Sequence, residues 1–299
     1  MSVIQVEHLH KRYGGTVAVD DVSLEVHRGE IFGVLGRNGA GKTTTVEIVG
    51  GLRQPDSGTV RVLGMDPVRD RARLREVVGL QLQESQLQPK LVVREALDLY
   101  ASFYPDPADP AQLLDELGLT DRAGARFEQL SGGQKQRLSV ALALVGNPQV
   151  AILDELTTGL DPHARRDTWE AVERIRDRGV TIVLVTHLME EAERLCDRIT
   201  LIDSGRVVAT GTPGELVARA TAEQVLRFRP SAPVPAGLLE QIARVTPDGG
   251  ELEVRGRDNV VQDVLVALAQ HGIRPENLRL EQSSLEDAFV ALTTAPVEA

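Results

Sequence analysis

Cysteine, lysine, aromatic residues and long apolar runs are all scarce in this 299-residue chain. The single cysteine, Cys196, cannot close an intrachain disulfide, which fits a reducing compartment and leaves packing alone to hold the fold. It sits in a Glu- and Leu-rich helical pattern and reads as a small buried hydrophobe rather than a reactive thiol. No run of about 18 apolar residues occurs, so no segment is expected to span a bilayer. The opening Met-Ser-Val-Ile-Gln-Val-Glu has no basic stretch followed by an apolar one, so no secretory signal is expected. Positive charge is also short: the formal net charge is -11, which repels phosphate backbones at long range and argues against a general nucleic-acid binder, though not against a local basic pocket. What remains is 42% hydrophobic and 26% charged, enough for a packed core in one large domain or two ordinary ones.

Apolar and polar residues alternate over 2–7 and 16–26, predicting strands joined by a turn at Tyr13-Gly14-Gly15. Ile31–Leu35 predicts a short strand, followed by a glycine-rich loop and a helix from about Lys42 to Gly50. Val60–Leu63 and Val77–Gln83 predict further strands. Between 93 and 145 the spacing turns helical, at Arg94–Phe103, Gln112–Leu117 and Gln134–Leu144, which predicts a mainly helical insert in an α/β domain. Val150–Leu153 and Val180–Thr186 are continuous apolar runs of the kind buried on both faces of a parallel sheet. Ile199–Ile202 and Val207–Ala209 flank Asp203-Ser204-Gly205-Arg206, a hairpin pattern. Near 215–225 the pattern restarts as a small α+β unit, with strands at Val225–Phe228, Leu252–Val254 and Leu278–Leu280. Its helices are predicted at Leu238–Ala243, Val260–Ala269 and Leu285–Leu292, and Pro230–Pro235 reads as a loop.

Gly36-Arg37-Asn38-Gly39-Ala40-Gly41-Lys42-Thr43 fits G-x-x-x-x-G-K-[ST] at every fixed position, between a predicted strand and a predicted helix. Glycines let the backbone wrap a phosphate with its N–H groups turned inward, and a helix N-terminus adds partial positive charge. Lys42, one of only four lysines, is placed to reach the β and γ phosphates. The Thr43 hydroxyl is placed to help hold Mg²⁺, and Thr44 continues the first helical turn. Ala151-Ile152-Leu153-Asp154-Glu155 is an apolar strand ending in two carboxylates. Asp154 is suited to Mg²⁺ and Glu155 to orienting an attacking water. A solvated strand end would look the same in isolation; the phosphate loop upstream favours the chemical reading. His187 directly follows the strand Val180–Thr186, where it could reach a γ-phosphate or be purely structural.

Leu130-Ser131-Gly132-Gly133-Gln134 makes the order of motifs specific. With it the chain resembles the nucleotide-binding subunits of ABC transporters, whose LSGGQ signature it matches at all five positions. The resemblance covers about residues 2–220. It implies a P-loop NTPase cassette of the α/β class, with a mainly parallel core sheet, an antiparallel β subdomain and a helical subdomain. Two domains would sandwich two ATP molecules head to tail, so that Ser131, Gly132, Gly133 and Gln134 of one meet the phosphate of the other. A Ser-Gly-Gly helix cap is the plainer use of the same residues.

The resemblance further implies Tyr13 as the aromatic that stacks on adenine, Gln83 as the glutamine touching Mg²⁺ or water, Asp161 as the dimer contact of the D-loop, and His187 as the switch histidine. One departure stands out: the family usually has proline after the glutamate, and here the residue is Leu156. The tail Ser284-Leu285-Glu286-Asp287-Ala288-Phe289 resembles the accessory region of ATPases paired with ABC-2-type exporters, a group that includes drug and antibiotic efflux subunits. The expected organisation is therefore an ABC ATP-binding cassette over 1–220 and an accessory C-terminal α+β domain over 221–299. ATP and Mg²⁺ are the expected ligands. The expected partners are a separate transmembrane permease subunit and a second copy or a related ATPase subunit, with no nucleic acid. The expected location is the cytoplasm, peripheral on the cytoplasmic face of the membrane. Two rivals are a non-transport ABC ATPase acting on ribosomes or DNA and a module that binds ATP without hydrolysing it. One cassette per chain, the acidic balance and the lack of sustained heptads count against the first.

Overall fold

The computed structural model describes residues 1–82, 87–220, 224–256, 259–281 and 284–294. The chain divides into two compact units, Met1–Pro213 and Gly214–Ala299. This break falls ahead of the expected 220/221 boundary. Among the described residues no helix is long and apolar enough to cross a membrane.

The first unit opens with an antiparallel hairpin, β1 (Ser2–Tyr13) and β2 (Thr16–His27), in which Tyr13 pairs Thr16 across Gly14-Gly15. Both strands run longer than their alternation predicts, because bulges shift the register and break the period-2 pattern. β3 (Ile31–Leu35) leads into α1 (Lys42–Val49), and β4 (Ser57–Val62) then joins β1 to complete a three-stranded sheet in the order β2-β1-β4. α2 (Arg71–Val77) ends where β5 (Val78–Gln81) begins. The sequence pattern misses this helix and instead starts the strand at Val77. Only Leu74 of α2 is buried, so the helix carries almost no apolar period.

α3 (Val93–Ala101), α4 (Pro110–Glu116) and α5 (Gly132–Leu144) form the predicted helical insert. β6 (Val150–Asp154), α6 (Pro162–Asp177), β7 (Thr181–Thr186), α7 (Met189–Leu195), β8 (Arg198–Asp203) and β9 (Arg206–Gly211) follow. The central sheet runs β5-β6-β7-β3-β8-β9, parallel except for the β8–β9 hairpin. Every residue of β3, β6 and β7 is buried, as expected of strands covered on both faces. The core cluster includes Ile48 and Val49 of α1, Val34 of β3, Ile152 of β6 and Val185 of β7, and it extends through Leu9 and Val22 of the hairpin. The C-terminal ends of β3, β6 and β7 lie side by side, the edge at which α/β sheets bind ligands.

α8 (Pro213–Ala220) opens the second unit, where β10 (Gln224–Pro230), β11 (Arg244–Asp248), β12 (Glu251–Gly256) and β13 (Pro275–Glu281) form an antiparallel sheet in the order β11-β12-β10-β13. α9 (Val260–Gln270) and α10 (Leu285–Thr294) are its helices. Leu226 and Phe228 of β10, Val254 of β12 and Leu268 of α9 make a separate core. The helix predicted at Leu238–Ala243 is instead a series of turns after Gly237, which has φ +82°, and β11 was not foreseen. The turns are closed by a few local bonds, from the Leu238 N–H to the Pro235 carbonyl at 3.2 Å and from the Ile242 and Ala243 N–H groups to the Leu239 carbonyl at 2.9 Å, too few to propagate a helix.

Candidate active site

The loop from Gly36 to Gly41 connects β3 to α1, and two of its glycines are required by their surroundings. A Cβ on Gly36 would lie 2.1 Å from the Ile202 carbonyl oxygen of β8. A Cβ on Gly41 would lie 2.2 Å from the Ala18 carbonyl oxygen of β2, and Gly41 has φ +100°. The loop is thus pressed against backbone on both sides. Its crest, Arg37, Asn38 and Gly39, is exposed, while Ala40 is buried. No side chain caps α1 and its first turn holds no acid, so its N–H groups face the loop without a protein anion. By contrast α4, α5 and α6 are capped by Asp109, Ser131 and Asp161.

Lys42 is buried, and its Nζ donates to the carbonyl oxygens of Gly36 at 2.9 Å and Arg37 at 3.0 Å, closing the loop on itself. Burial holds its ammonium below the usual lysine range, opposed by the negative charge of Glu155 and Asp154. Thr43 is half-buried, and its hydroxyl donates to Asp154 Oδ2 at 3.1 Å. Thr44 is half-buried in the same turn.

Asp154 ends β6 with no exposure. Burial pushes its carboxyl up to about 6; the Thr43 hydroxyl and Lys42 pull it down, while Glu155 and Glu47 add to the rise. Its second oxygen, Oδ1, is buried and accepts no hydrogen bond. The Asp154 N–H donates to Gln81 Oε1 at 3.1 Å, and Gln81 Nε2 donates to the Leu82 carbonyl at 2.9 Å. Gln81 is 2% exposed, and the sequence reading missed it. The clue was available: a glutamine closing the apolar run Val78–Gln81 needs an interior partner if the strand is buried.

Glu155 turns the chain out of β6 with φ +51°, a left-handed conformation that few non-glycine residues adopt. Its N–H donates to the Val185 carbonyl at 2.8 Å, which keeps it beside β7. His187, just past β7, brings Nδ1 to 3.3 Å from Glu155 Oε1, an ion-pairing distance without hydrogen-bond alignment. Lys42, Thr43, Asp154, Glu155 and His187 therefore converge at one sheet edge. Leu156, which stands where the family usually has proline, is wholly buried.

Tyr13, Ser131, Gly132 and Asp161 lie elsewhere, on the surface. Tyr13 is 41% exposed at the tip of the β1–β2 hairpin, with Lys11 Nζ 5.6 Å and the Arg53 guanidinium 5.5 Å from its ring centre. Gln83 lies outside the described residues. Ser131 and Gly132 are exposed. Ser131 Oγ accepts from the Gln134 N–H at 3.3 Å while Gln134 Oε1 accepts from the Ser131 N–H at 3.0 Å, a capping box that opens α5. Gly133 is buried, and a Cβ there would lie 2.8 Å from Ala164 Cβ in α6. Asp161 caps α6 through the N–H groups of His163 and Ala164, and those bonds hold its carboxyl below the usual range.

The ABC transporter family matches residues 19–158. The Nod factor export ATP-binding protein I of Rhizobium etli is 38% identical over 311 residues, covering 100% of this chain and 95% of the relative. The daunorubicin resistance ATP-binding protein DrrA3 of Streptomyces coeruleorubidus is 36% identical over 303 residues, covering 98% and 96%. Among solved structures, an ATP-binding subunit of an ABC transporter is similar at a TM-score of 0.65 and 30% identity, over 73% of this chain and 92% of that one. A dimeric ATP-binding cassette in a post-hydrolysis state, bound to ADP and Pi, is similar at a TM-score of 0.63 and 27% identity, over 70% and 98%. With relatives at these identities matched over nearly their whole length, the chain belongs to the ABC transporter family as an ATP-binding subunit that hydrolyses ATP.

Proposed function

We propose that this chain powers export of a substrate through a separate membrane subunit, binding ATP over Lys42 and Mg²⁺ beside Asp154. The observation that carries the site assignment is the orphaned Asp154 Oδ1. A buried carboxylate oxygen with no donor, next to a threonine hydroxyl 3.1 Å from its twin, is a hard oxygen site short of a cation. The donor set fits Mg²⁺, and Asp154 and Thr43 would hold it, with Gln83 as the third candidate. Among the described residues no group of three or more His, Cys, Asp or Glu side chains could hold a metal unaided, so phosphate oxygens and water would supply the rest of the shell. When bound, Mg²⁺ neutralises charge developing on the phosphates.

In this reading Gly36, Asn38, Gly39, Ala40, Gly41 and Thr44 wrap the triphosphate through backbone N–H groups. Lys42 exchanges its two carbonyl partners for phosphate oxygens, and Tyr13 offers its exposed ring to the base. Glu155 orients the attacking water, Gln83 contacts that water or the metal, and His187 donates to the γ-phosphate. Ser131, Gly132, Gly133 and Gln134 complete the opposite face of a nucleotide held by a second cassette, with Asp161 at the contact. The surface position of Ser131 and Gly132, opening α5, supports use in trans. Closure draws on charge-assisted contacts to the γ-phosphate, which ADP lacks.

Export is the direction named in the Nod factor relative's own description, and the daunorubicin resistance relative is named for resistance to a drug, which fits it. The working assembly is a dimer of cassettes on the cytoplasmic face of the membrane, attached to a transmembrane permease, with residues 221–299 accessory. The test uses Glu155→Gln. ATP binding is expected to survive, phosphate release to fall by about 10²–10³-fold, and the variant to dimerise in ATP but not ADP. Unchanged turnover removes Glu155 from its role, and a strict monomer in saturating ATP removes the sandwich. Co-purification from membranes, with identification of the attached polypeptide, tests the partner.

A further inference from the structure

One buried acid outside this machinery joins three elements of the catalytic edge. Glu191 of α7 is fully buried. Its Oε1 accepts two hydrogen bonds, from Thr157 Oγ1 at 2.8 Å and from Trp169 Nε1 at 3.2 Å. Thr157 stands two residues beyond Glu155, Trp169 belongs to the helix that Asp161 caps, and α7 itself begins two residues beyond His187. Burial raises the Glu191 carboxyl above the usual range, opposed by the polar side chains around it. A leucine would continue the apolar stripe formed with Ala192 and Leu195 at less cost, but it would strand the Thr157 hydroxyl and the Trp169 N–H in the interior.

The junction bears on Glu155 because that residue leaves β6 in a left-handed turn, and Leu156 replaces the proline that would otherwise stiffen it. Backbone bonds hold part of the turn, from the Glu155 N–H to the Val185 carbonyl at 2.8 Å and from the Thr158 N–H to the Glu155 carbonyl at 3.4 Å, and side chains add to them. Leu156 is packed with no exposure, and Thr157 is tied to Glu191. Two surface ion pairs, Arg165–Glu190 at 3.0 Å and Arg194–Glu173 at 2.6 Å, also bridge α6 and α7.

We propose that Glu191 is a positioning residue for ATP hydrolysis: through Thr157 it holds the Glu155 turn in register with His187 without touching nucleotide. The proposal rests on the reading of Glu155 given above. Steady-state ATPase measurements on the full chain test it. Thr157→Val keeps shape and removes the hydroxyl; kcat is expected to fall about tenfold with KM for ATP within about twofold and an unchanged unfolding profile, the signature of a misplaced group rather than lost binding. Glu191→Gln retains an acceptor oxygen and is expected to recover at least half of the wild-type kcat. Glu191→Leu is expected to match Thr157→Val and to shift the emission of Trp169, the only tryptophan in the chain. A folded Thr157→Val with wild-type kcat overturns the proposal, as does Glu191→Gln failing as badly as Glu191→Leu. Glu155→Gln run alongside separates the two readings. If it turns over normally, the role of Glu155 is wrong and this proposal goes with it; if it is inactive while Thr157→Val is normal, only the role of Glu191 is lost.

Discussion

Replacing Asp154 with asparagine should stabilise the nucleotide-free protein and disable it. An acid with its pKa raised from 3.8 to about 6 on folding binds more protons folded than unfolded at intermediate pH. Stability therefore falls as pH rises through the window from about 4 to 6 and stays low above it, the reverse of a salt-bridged carboxylate. At ~1.4 kcal/mol per pKa unit, the ionised group costs about 3 kcal/mol at pH 8. Asparagine keeps an acceptor for the Thr43 hydroxyl and does not ionise. The wild-type and Asp154→Asn stabilities should thus diverge from pH 4 to 6 and then run parallel, the variant ahead by roughly 6–12 °C in Tm for a unit of this size. Thermal unfolding from pH 4.5 to 8, followed for both proteins in one buffer series, isolates the difference because every other group titrates in both. Adding ATP and Mg²⁺ should then raise the wild type by about 2.7 kcal/mol at a hundredfold excess over Kd and the variant far less, narrowing or inverting the order. A variant less stable than wild type at pH 8 without nucleotide, or a gap that does not change with pH, refutes the electrostatic account of this site.

Three further outcomes follow from contacts already described. Gly36→Ala drives a Cβ into the Ile202 backbone oxygen, with no flexible side chain to yield, and should cost at least ~2 kcal/mol in chemical denaturation while weakening nucleotide binding. Gln81→Leu leaves the buried Asp154 N–H without its side-chain acceptor and should lose about 1–3 kcal/mol; a stability equal to wild type would show that the glutamine is dispensable there. Ser131→Ala removes the α5 cap and should cost about 1 kcal/mol in the isolated chain, whereas ATP-dependent dimerisation of the Glu155→Gln background should be lost outright, a split that a purely capping serine would not give.

How much of this was legible in the sequence depended on how tightly chemistry fixed spacing. β3, β6 and β7 were visible because strands buried on both faces admit little but Val, Ile and Leu. The loop between β3 and α1 was visible because a backbone squeezed between Ala18 and Ile202 can use only glycine at two places. α2 was not visible: it buries one residue, so its helical period has nothing apolar to mark it. The turns at 238–243 carry apolar residues that belong to the second core, and burial there was mistaken for helix.

The site divides in the same way. Lys42, Thr43, Asp154 and Glu155 could be read one by one because, in the proposed function, each presents its own group to a phosphate, a cation or a water, and substitution would change the chemistry. Gln81 and Glu191 could not, because they act on the protein: one holds the backbone of Asp154, the other the turn after Glu155. The trace such residues leave is a polar letter at a position whose neighbours demand an apolar one. Gln81 closes the apolar run Val78–Gln81, and Glu191 lies within the stripe Leu188, Glu191, Ala192 and Leu195, spaced as one helix face. A buried polar group must find a partner, and for these two a partner lies on another element: the Asp154 N–H for Gln81, and the Thr157 and Trp169 side chains for Glu191. Reading polar interruptions of apolar stripes as ties between elements points to both residues, and for Glu191 it leads to the threonine two positions beyond Glu155, next to the leucine that stands where the family usually has proline.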